Sequence, residues 1–399
     1  MNIPVFADDD SADGDIHAPC WRMAVWFFLL SRFLLLVSLP YSALTAYGDH
    51  WNFYAQAALR GWPYLHSWTE FPPLFPFLAK ALYLLAGGRE HTFSYLLALI
   101  LTLAQAVSVV LFAWLVRRYR SERAAERLTW GFLMLALALP YGWWYFDPLA
   151  VLFLLWGLWA VEDSRPWQAG LALGLGGLTK LFPLLALPAV WKTRPRGVAV
   201  RVSLAALGLV FLVYGGLYAL SPRMTAASLQ AQAAKGSWET IWALLDGNLG
   251  TGNLSLQADH RDPSTAALPH GNPAKLSPWG LLALFGGLGF LLLWRTHPKG
   301  SPSLAALTGF TWGGFLLWSP GYSPQWVLYL LPLILLTLPE RTAFLMSAVF
   351  LLLSILEWPV MLSRGWFQGL YALVPLRTAL LALLTWAFYR RASGDTIEE

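Results

Sequence analysis

The sequence predicts an all-α polytopic membrane protein of roughly ten to twelve transmembrane helices, with interfacial helices on one face. Three observations carry that expectation. Hydrophobic residues make up 57% of the 399 and charged ones only 12%, where a soluble domain carries about a quarter charged. Apolar runs of span length recur from residue 21 to residue 389. Basic residues gather in clusters between those runs, as cytoplasmic loops do under the positive-inside rule.

No long polar stretch interrupts the chain, so a single membrane domain is expected over 21–391. An acidic tail over 1–20 precedes it and a short cytoplasmic tail over 392–399 follows. The opening residues lack the basic n-region of a cleaved signal peptide and read as a disordered tail. The positive-inside rule accounts for the net charge of +5, which leaves no case for nucleic acid as a partner. Cys20 is alone and forms no intrachain disulfide. Many of the 23 tryptophans fall at span ends, among them Trp143, Trp191 and Trp294, where an aromatic belt anchors helices to the interface.

The apolar runs place spans at 21–41, 93–116, 128–143, 148–162, 200–220, 277–294, 303–318, 326–338, 342–356 and 369–389. Basic groups at Arg117–Arg127, Lys192–Arg201, Arg295–Lys299 and Arg390–Arg391 are then put on the inner side. With those sides fixed, 166–191 must leave and return on one face. It reads as two half-helices meeting at Lys180, its glycines at 170, 174, 176 and 177 permitting close packing. By the same bookkeeping 71–87 is a re-entrant or interfacial helix. The segments 42–92, 144–147, 221–276 and 319–325 share the outer face, and 42–92 with 221–276 roof a site there.

Carboxylates at a membrane edge are costly and usually functional, and three collect on that face. Asp49 stands at a helix start, with Trp51, Tyr54, Ala55 and Ala58 at helical spacing behind it. It is either an N-cap or a general base kept ionised by the helix dipole, and the two roles are compatible. Glu70 precedes a Pro-Pro pair and Asp147 precedes Pro148, both at helix starts. Lys180 is an intramembrane cation whose natural partner is a phosphate or a carboxylate, or which snorkels to the interface. Arg60, His66, Arg223, Lys235 and His260 are further outer groups that could hold an anion. Tyr322, Gln325 and Trp326, at the mouth of a span, suit sugar recognition by stacking and hydrogen bonding. Trp238, Ile241, Trp242 and Leu245 read as one face of an amphipathic helix lying on the membrane, with Glu239 solvated. No metal-ligand spacing, P-loop or dinucleotide fingerprint occurs, so no metal or cofactor is expected. Asn253 sits in a lone N-x-S match.

The run GDHWNFYAQAALRGWPYLHSWTEFPPLFPFL, 48–78, resembles the first outer loop of GT-C glycosyltransferases. It is most similar to family 87, the polyprenol-phosphate-mannose-dependent mannosyltransferases. Asp49, Tyr54, Gly61-Trp62-Pro63-Tyr64 and Glu70-Phe71-Pro72-Pro73-Leu74 match that family's Asp, Tyr, G-x-P-Y and E-Y-P-P-L pattern, with Phe71 in place of Tyr. FDPLAVLFLLWGL, GLTKLFPLLALP and SPQWVLYLLPL extend the likeness to about 22–390.

The resemblance implies a GT-C fold with its site on the outer face, and the compact loops point to a bacterial plasma membrane. It implies Asp49 as the catalytic base and a polyprenyl-phosphate-sugar donor whose tail enters between helices. It also implies inverting transfer of a hexose, mannose first, to a lipid-linked or glycan acceptor. His50 would orient Asp49 or contact phosphate. Tyr54, Arg60, Tyr64, Glu70, Asp147, Lys180, Tyr322 and Gln325 would position substrate. A transporter or flippase is the competing class, and it predicts charges along a path through both leaflets. The expected spans outside the hairpin are nearly charge-free, which favours the enzyme.

Overall fold

The computed structural model describes residues 20–45, 49–300 and 302–394. Most of the 1–20 tail, the end of the 392–399 tail and Gly48 lie outside them. Among the described residues the chain is helical, with isolated β-bridges in place of a sheet.

Its α-helices are α1 (Cys20–Ser38), α2 (Tyr41–Leu44), α3 (His50–Ala58), α4 (Leu74–Leu85), α5 (Glu90–Tyr119) and α6 (Glu122–Ala138). Then come α7 (Asp147–Glu162), α8 (Pro166–Thr179), α9 (Leu187–Thr193), α10 (Arg196–Leu220), α11 (Pro222–Ala233) and α12 (Ile241–Asp246). The last are α13 (Pro278–Arg295), α14 (Ser303–Trp318), α15 (Val327–Thr337), α16 (Glu340–Ile355) and α17 (Leu370–Ala392).

Among the described residues six helical stretches are long and apolar enough to cross a membrane, fewer than the ten spans expected. The difference falls on α6, α7, α14 and α15, each shorter than a typical span of roughly 20 residues. Proline breaks set most of these lengths, at Pro140, Pro148 and Pro324. Nearly every side chain of α15 is buried, as are most of those of α7 and α14. These helices therefore meet protein where α10 and α13 present exposed apolar faces suited to lipid. Charges also enter the helices: Arg32 of α1 donates to Gln105 Oε1 and the Ala136 carbonyl at 3.1 Å each, and Arg377 of α17 pairs with Glu357.

One end of the bundle collects the basic turns. Arg118 pairs with Asp163 at 3.0 Å, Arg194 with Glu162 at 2.7 Å and Arg127 with Glu340 at 2.6 Å. Lys192 donates to the Trp294 carbonyl, and the Lys299 amide to that of Ala392. The turns after α5, α7, α9, α13, α15 and α17 thus share one face, as the charge clusters required. The segment 166–193 leaves that face in α8 and returns in α9, with an extended break at Lys180 between them.

The glycines make this hairpin possible. A Cβ on Gly170 would stand 2.4 Å from Ala205 Cβ and 2.5 Å from the Val202 carbonyl of α10, and one on Gly176 would stand 2.6 Å from Pro183 of the returning limb. Gly170→Val should destabilise the protein by about 1–3 kcal/mol through overpacking. Gly208→Val, where a Cβ meets open space, should leave thermal unfolding in detergent unchanged.

At the opposite end, α4 is too short to span and lies against α3, with Lys80 Nζ donating to the Ala57 and Leu59 carbonyls at 2.8 and 2.7 Å. Those carbonyls are the orphan acceptors at the end of α3, so Lys80 fixes the two interfacial helices together. In α3 the buried side is His50, Phe53 and Ala57. The expected apolar face is turned outward instead, with Trp51 51% exposed. The helix is apolar on both sides, and the face against the bundle is the one Phe53 shares with Phe71, Phe75 and Phe146.

Candidate active site

A cavity of about 610 Å³ opens at the end of the bundle opposite the basic turns. Its walls come from the segment after α1, the break between α8 and α9, the 221–276 region and the 319–326 turn. Asp49, Tyr64, Glu70, Lys180 and Gln325, all expected at a site, line it together.

Asp49 occupies the N-cap position of α3, yet its side chain makes no capping hydrogen bond. The carboxylate is left for the cavity. Enclosure pushes its pKa up to about 6, and the nearby Glu70 charge adds to that, while Lys180 and Lys235 pull it down. Desolvation is the largest cause of that rise. Near neutral pH the group is mostly ionised and still a better proton acceptor than an ordinary aspartate, as a general base requires.

Two cation–carboxylate pairs flank it. Lys180 Nζ sits 2.7 Å from Asp147 Oδ1, with Asp147 only 1% exposed at the first residue of α7. The same ammonium lies 5.2 to 5.4 Å from the ring centres of Phe146, Phe182 and Trp326, a cationic centre held by aromatic faces. Lys235 pairs with Glu70 across the cavity rim. Glu70 is not in the first turn of α4, which begins at Leu74. Its carboxylate serves the cavity.

Tyr64 adopts φ +65° and donates to the Phe71 carbonyl at 2.7 Å. A non-glycine residue in the left-handed region is strained, and here that bend carries the chain from Gly61 back toward Glu70. Asp147 lies behind Lys180 as its buried counter-charge and is not itself a wall of the cavity.

Several expected residues are not brought to the site. His50 is fully buried between Trp51 and Trp144, without a hydrogen-bond partner among the described residues on either ring nitrogen, and burial pushes its pKa down to about 4. It neither orients Asp49 nor meets the cavity. Tyr54 donates to the Gly88 carbonyl at 2.7 Å and ties α3 to the turn before α5. Arg60 is exposed away from the cavity. Tyr322 is buried with the Arg377 guanidinium 3.6 Å from its ring centre, behind the wall that Trp326 forms.

The 221–276 region supplies what sequence reasoning missed: Gln232, Trp238, Glu239, Thr251 and Asn253 on the cavity wall, with Lys235 singled out from a set of equals. Trp238 and Glu239 are not on an amphipathic helix, because α12 begins only at Ile241. The Trp238 amide donates to the Pro320 carbonyl and its own carbonyl accepts from the Tyr322 amide. Cβ atoms on Gly252 and Gly321 would come within 2.5 and 2.2 Å of the Trp238 ring. The glycine in S-P-G-Y and the one before Asn253 were the available signals, since each admits a close aromatic contact. Gly321→Ala should displace Trp238 and lower activity by up to about 10²-fold, whereas Gly314→Ala, facing open space, should leave the rate unchanged.

The arrangement offers a base, two paired cations, aromatic walls and amide groups in one partly enclosed chamber. Such a set can take a proton from a hydroxyl and neutralise a departing anion. Among the described residues no cluster of His, Cys, Asp and Glu is suited to hold a metal.

Comparison with known proteins bears on this chemistry. The family model for glycosyltransferase family 87 matches residues 68–320, more than half of the chain. Two solved structures of the Archaeoglobus fulgidus oligosaccharyltransferase are similar at low identity. The apo form is 15% identical with a TM-score of 0.38, covering 94% of this chain and 56% of that one. The complex with zinc and sulfate is 16% identical with a TM-score of 0.37, covering 94% and 52%. The chain thus spans little more than half the length of those structures. No curated protein matches it. The chain is a multi-pass membrane protein, and it belongs to glycosyltransferase family 87.

Proposed function

We propose that the cavity binds a polyprenyl-phosphate hexose, mannose first among the candidates, and transfers the sugar to a lipid-linked or glycan acceptor by a single inverting displacement. Asp49 takes the proton from the acceptor hydroxyl. The oxygen attacks the anomeric carbon as the bond to the phosphate oxygen breaks, and the polyprenyl monophosphate leaves with the electron pair. Lys180 and Lys235 balance its charge. A lipid monophosphate is already a capable leaving group, so positioning and electrostatics carry most of the work.

The observation that carries this reading is the placement of the Asp49 carboxylate and the Lys180 and Lys235 ammonium groups on one chamber. In the bacterial plasma membrane that chamber would face the exterior, because the basic turns sit at the other end of the bundle. Apolar residues on the same wall, Leu181, Leu229, Phe315 and Leu362, suit the first isoprene units of a carrier.

The test incubates membranes holding the protein with radiolabelled polyprenyl-phosphate hexoses and identifies the product. Label should pass to an acceptor from one such donor and not from the corresponding nucleotide sugar. Transfer from the nucleotide sugar alone would refute the lipid-linked donor.

A further inference from the structure

Glu239 combines three features the mechanism above does not use. It lines the cavity while only 4% exposed. Its Oε2 is buried with no hydrogen-bond partner among the described residues. Its backbone sits at φ +54°, a conformation that costs a non-glycine residue of order 1–3 kcal/mol and persists only where the surroundings impose it.

Those surroundings are specific. Arg377 donates to the Glu239 carbonyl oxygen and pairs with Glu357, so its charge is already balanced. On either side, the Trp238 amide and the Thr240 hydroxyl both donate to the Pro320 carbonyl, and Thr240 caps α12 by accepting from the Ala243 amide at 3.1 Å. The residue is thus gripped from both neighbours, and its Oε2 is held at the wall without a partner among the described residues. An unsatisfied buried polar group is costly, and in a binding site its natural explanation is a ligand.

We infer that Glu239 is a specificity-determining residue that reads a hydroxyl of the transferred sugar, its carboxyl donating to one sugar oxygen and accepting from a neighbouring one. The inference rests on the proposed lipid-phosphate hexose donor. A neutral carboxyl has both a donor and an acceptor side, which suits adjacent hydroxyls on a pyranose ring. Burial drives Glu239 toward that neutral form, with the Glu357 charge adding to it, Arg377 opposing and Asp49 contributing least. An ionised carboxylate could only accept. The two carboxyls divide the labour: Asp49 takes the proton, while Glu239, which burial drives toward its neutral form, positions the ring.

The test measures kcat/KM for the accepted polyprenyl-phosphate hexose and for its 2-, 3-, 4- and 6-deoxy analogues, in wild type and in Glu239→Ala, Glu239→Gln and Glu239→Asp. Wild type should disfavour the two analogues that lack one of the adjacent contacted hydroxyls, each by roughly 10²-fold, the loss expected when a buried polar group is left unpaired. Glu239→Ala should lose most of that discrimination by slowing the natural donor more than those two analogues. Glu239→Gln, neutral and able to donate and accept, should keep it, and Glu239→Asp, one methylene shorter, should lose it. If Glu239→Ala does not accumulate, the Gln and Asp pair decides. Equal losses on every donor, or unchanged discrimination in Glu239→Asp, would overturn the inference and leave the proposed function standing. Absence of transfer by wild type from every lipid-phosphate hexose would overturn both.

Discussion

Asp49→Asn should reduce sugar transfer by about 10³-fold, within the range that a positioned general base contributes, with expression unchanged. Asparagine keeps the volume and removes the proton acceptor. Stability should move the other way. The folded protein raises the pKa of Asp49 from 3.8 to about 6, so it holds the ionised form less favourably than the unfolded chain does. That penalty is absent below the lower value, grows between the two and is complete above the higher. Asp49→Asn should therefore melt no lower than wild type at neutral pH, as is common where a functional charge is kept at the expense of stability. Thermal unfolding and transfer assays on one preparation check both halves. Loss of activity together with a large drop in melting temperature would place Asp49 in the scaffold instead.

Lys180→Met should be the most destabilising single change at the site. It strands the Asp147 carboxylate, 1% exposed at the start of α7, without its partner at 2.7 Å. Breaking a buried pair from one side costs on the order of 3–5 kcal/mol, because the remaining charge has neither water nor a counter-ion. Asp147→Asn is milder, since Lys180 faces the cavity and water can reach its ammonium. The double variant Lys180→Met with Asp147→Asn should recover much of the stability lost by Lys180→Met and none of the transfer activity, which needs the cation. A double-mutant cycle on melting temperature reads the coupling. Additive effects would mean the two side chains are independent. Full activity in the double variant would remove Lys180 from the reaction.

The parts of this site that could be read from sequence are those where one residue type is unusual in its neighbourhood. Asp49, Glu70 and Lys180 are charges beside apolar runs, and the membrane makes each conspicuous. The break at Lys180 followed from charge bookkeeping, because the hairpin had to return to the basic face. Neighbours of Asp49 were less legible. Successive helical residues are turned by roughly 100°, so His50 leaves the cavity for the Trp144 side while Asp49 stays in it. The unread wall, Lys235 to Glu239 with Asn253, belongs to a region of little periodicity. Contacts with Pro320, Gly321 and Tyr322, far along the chain, give it its shape. Glu239 is polar within a segment that looked exposed, and nothing local signals that Arg377 of α17 would fold over it.

The most direct test of Asp49 as the base is the pH dependence of single-turnover transfer by purified protein with a polyprenyl-phosphate hexose donor. The base works only when ionised, so the rate should climb with pH, reach half its maximum near about 6 and level off above neutrality. The residual rate of Asp49→Asn should lack that limb. A wild-type rate that stays flat across this range, or the same limb in Asp49→Asn, would contradict the account.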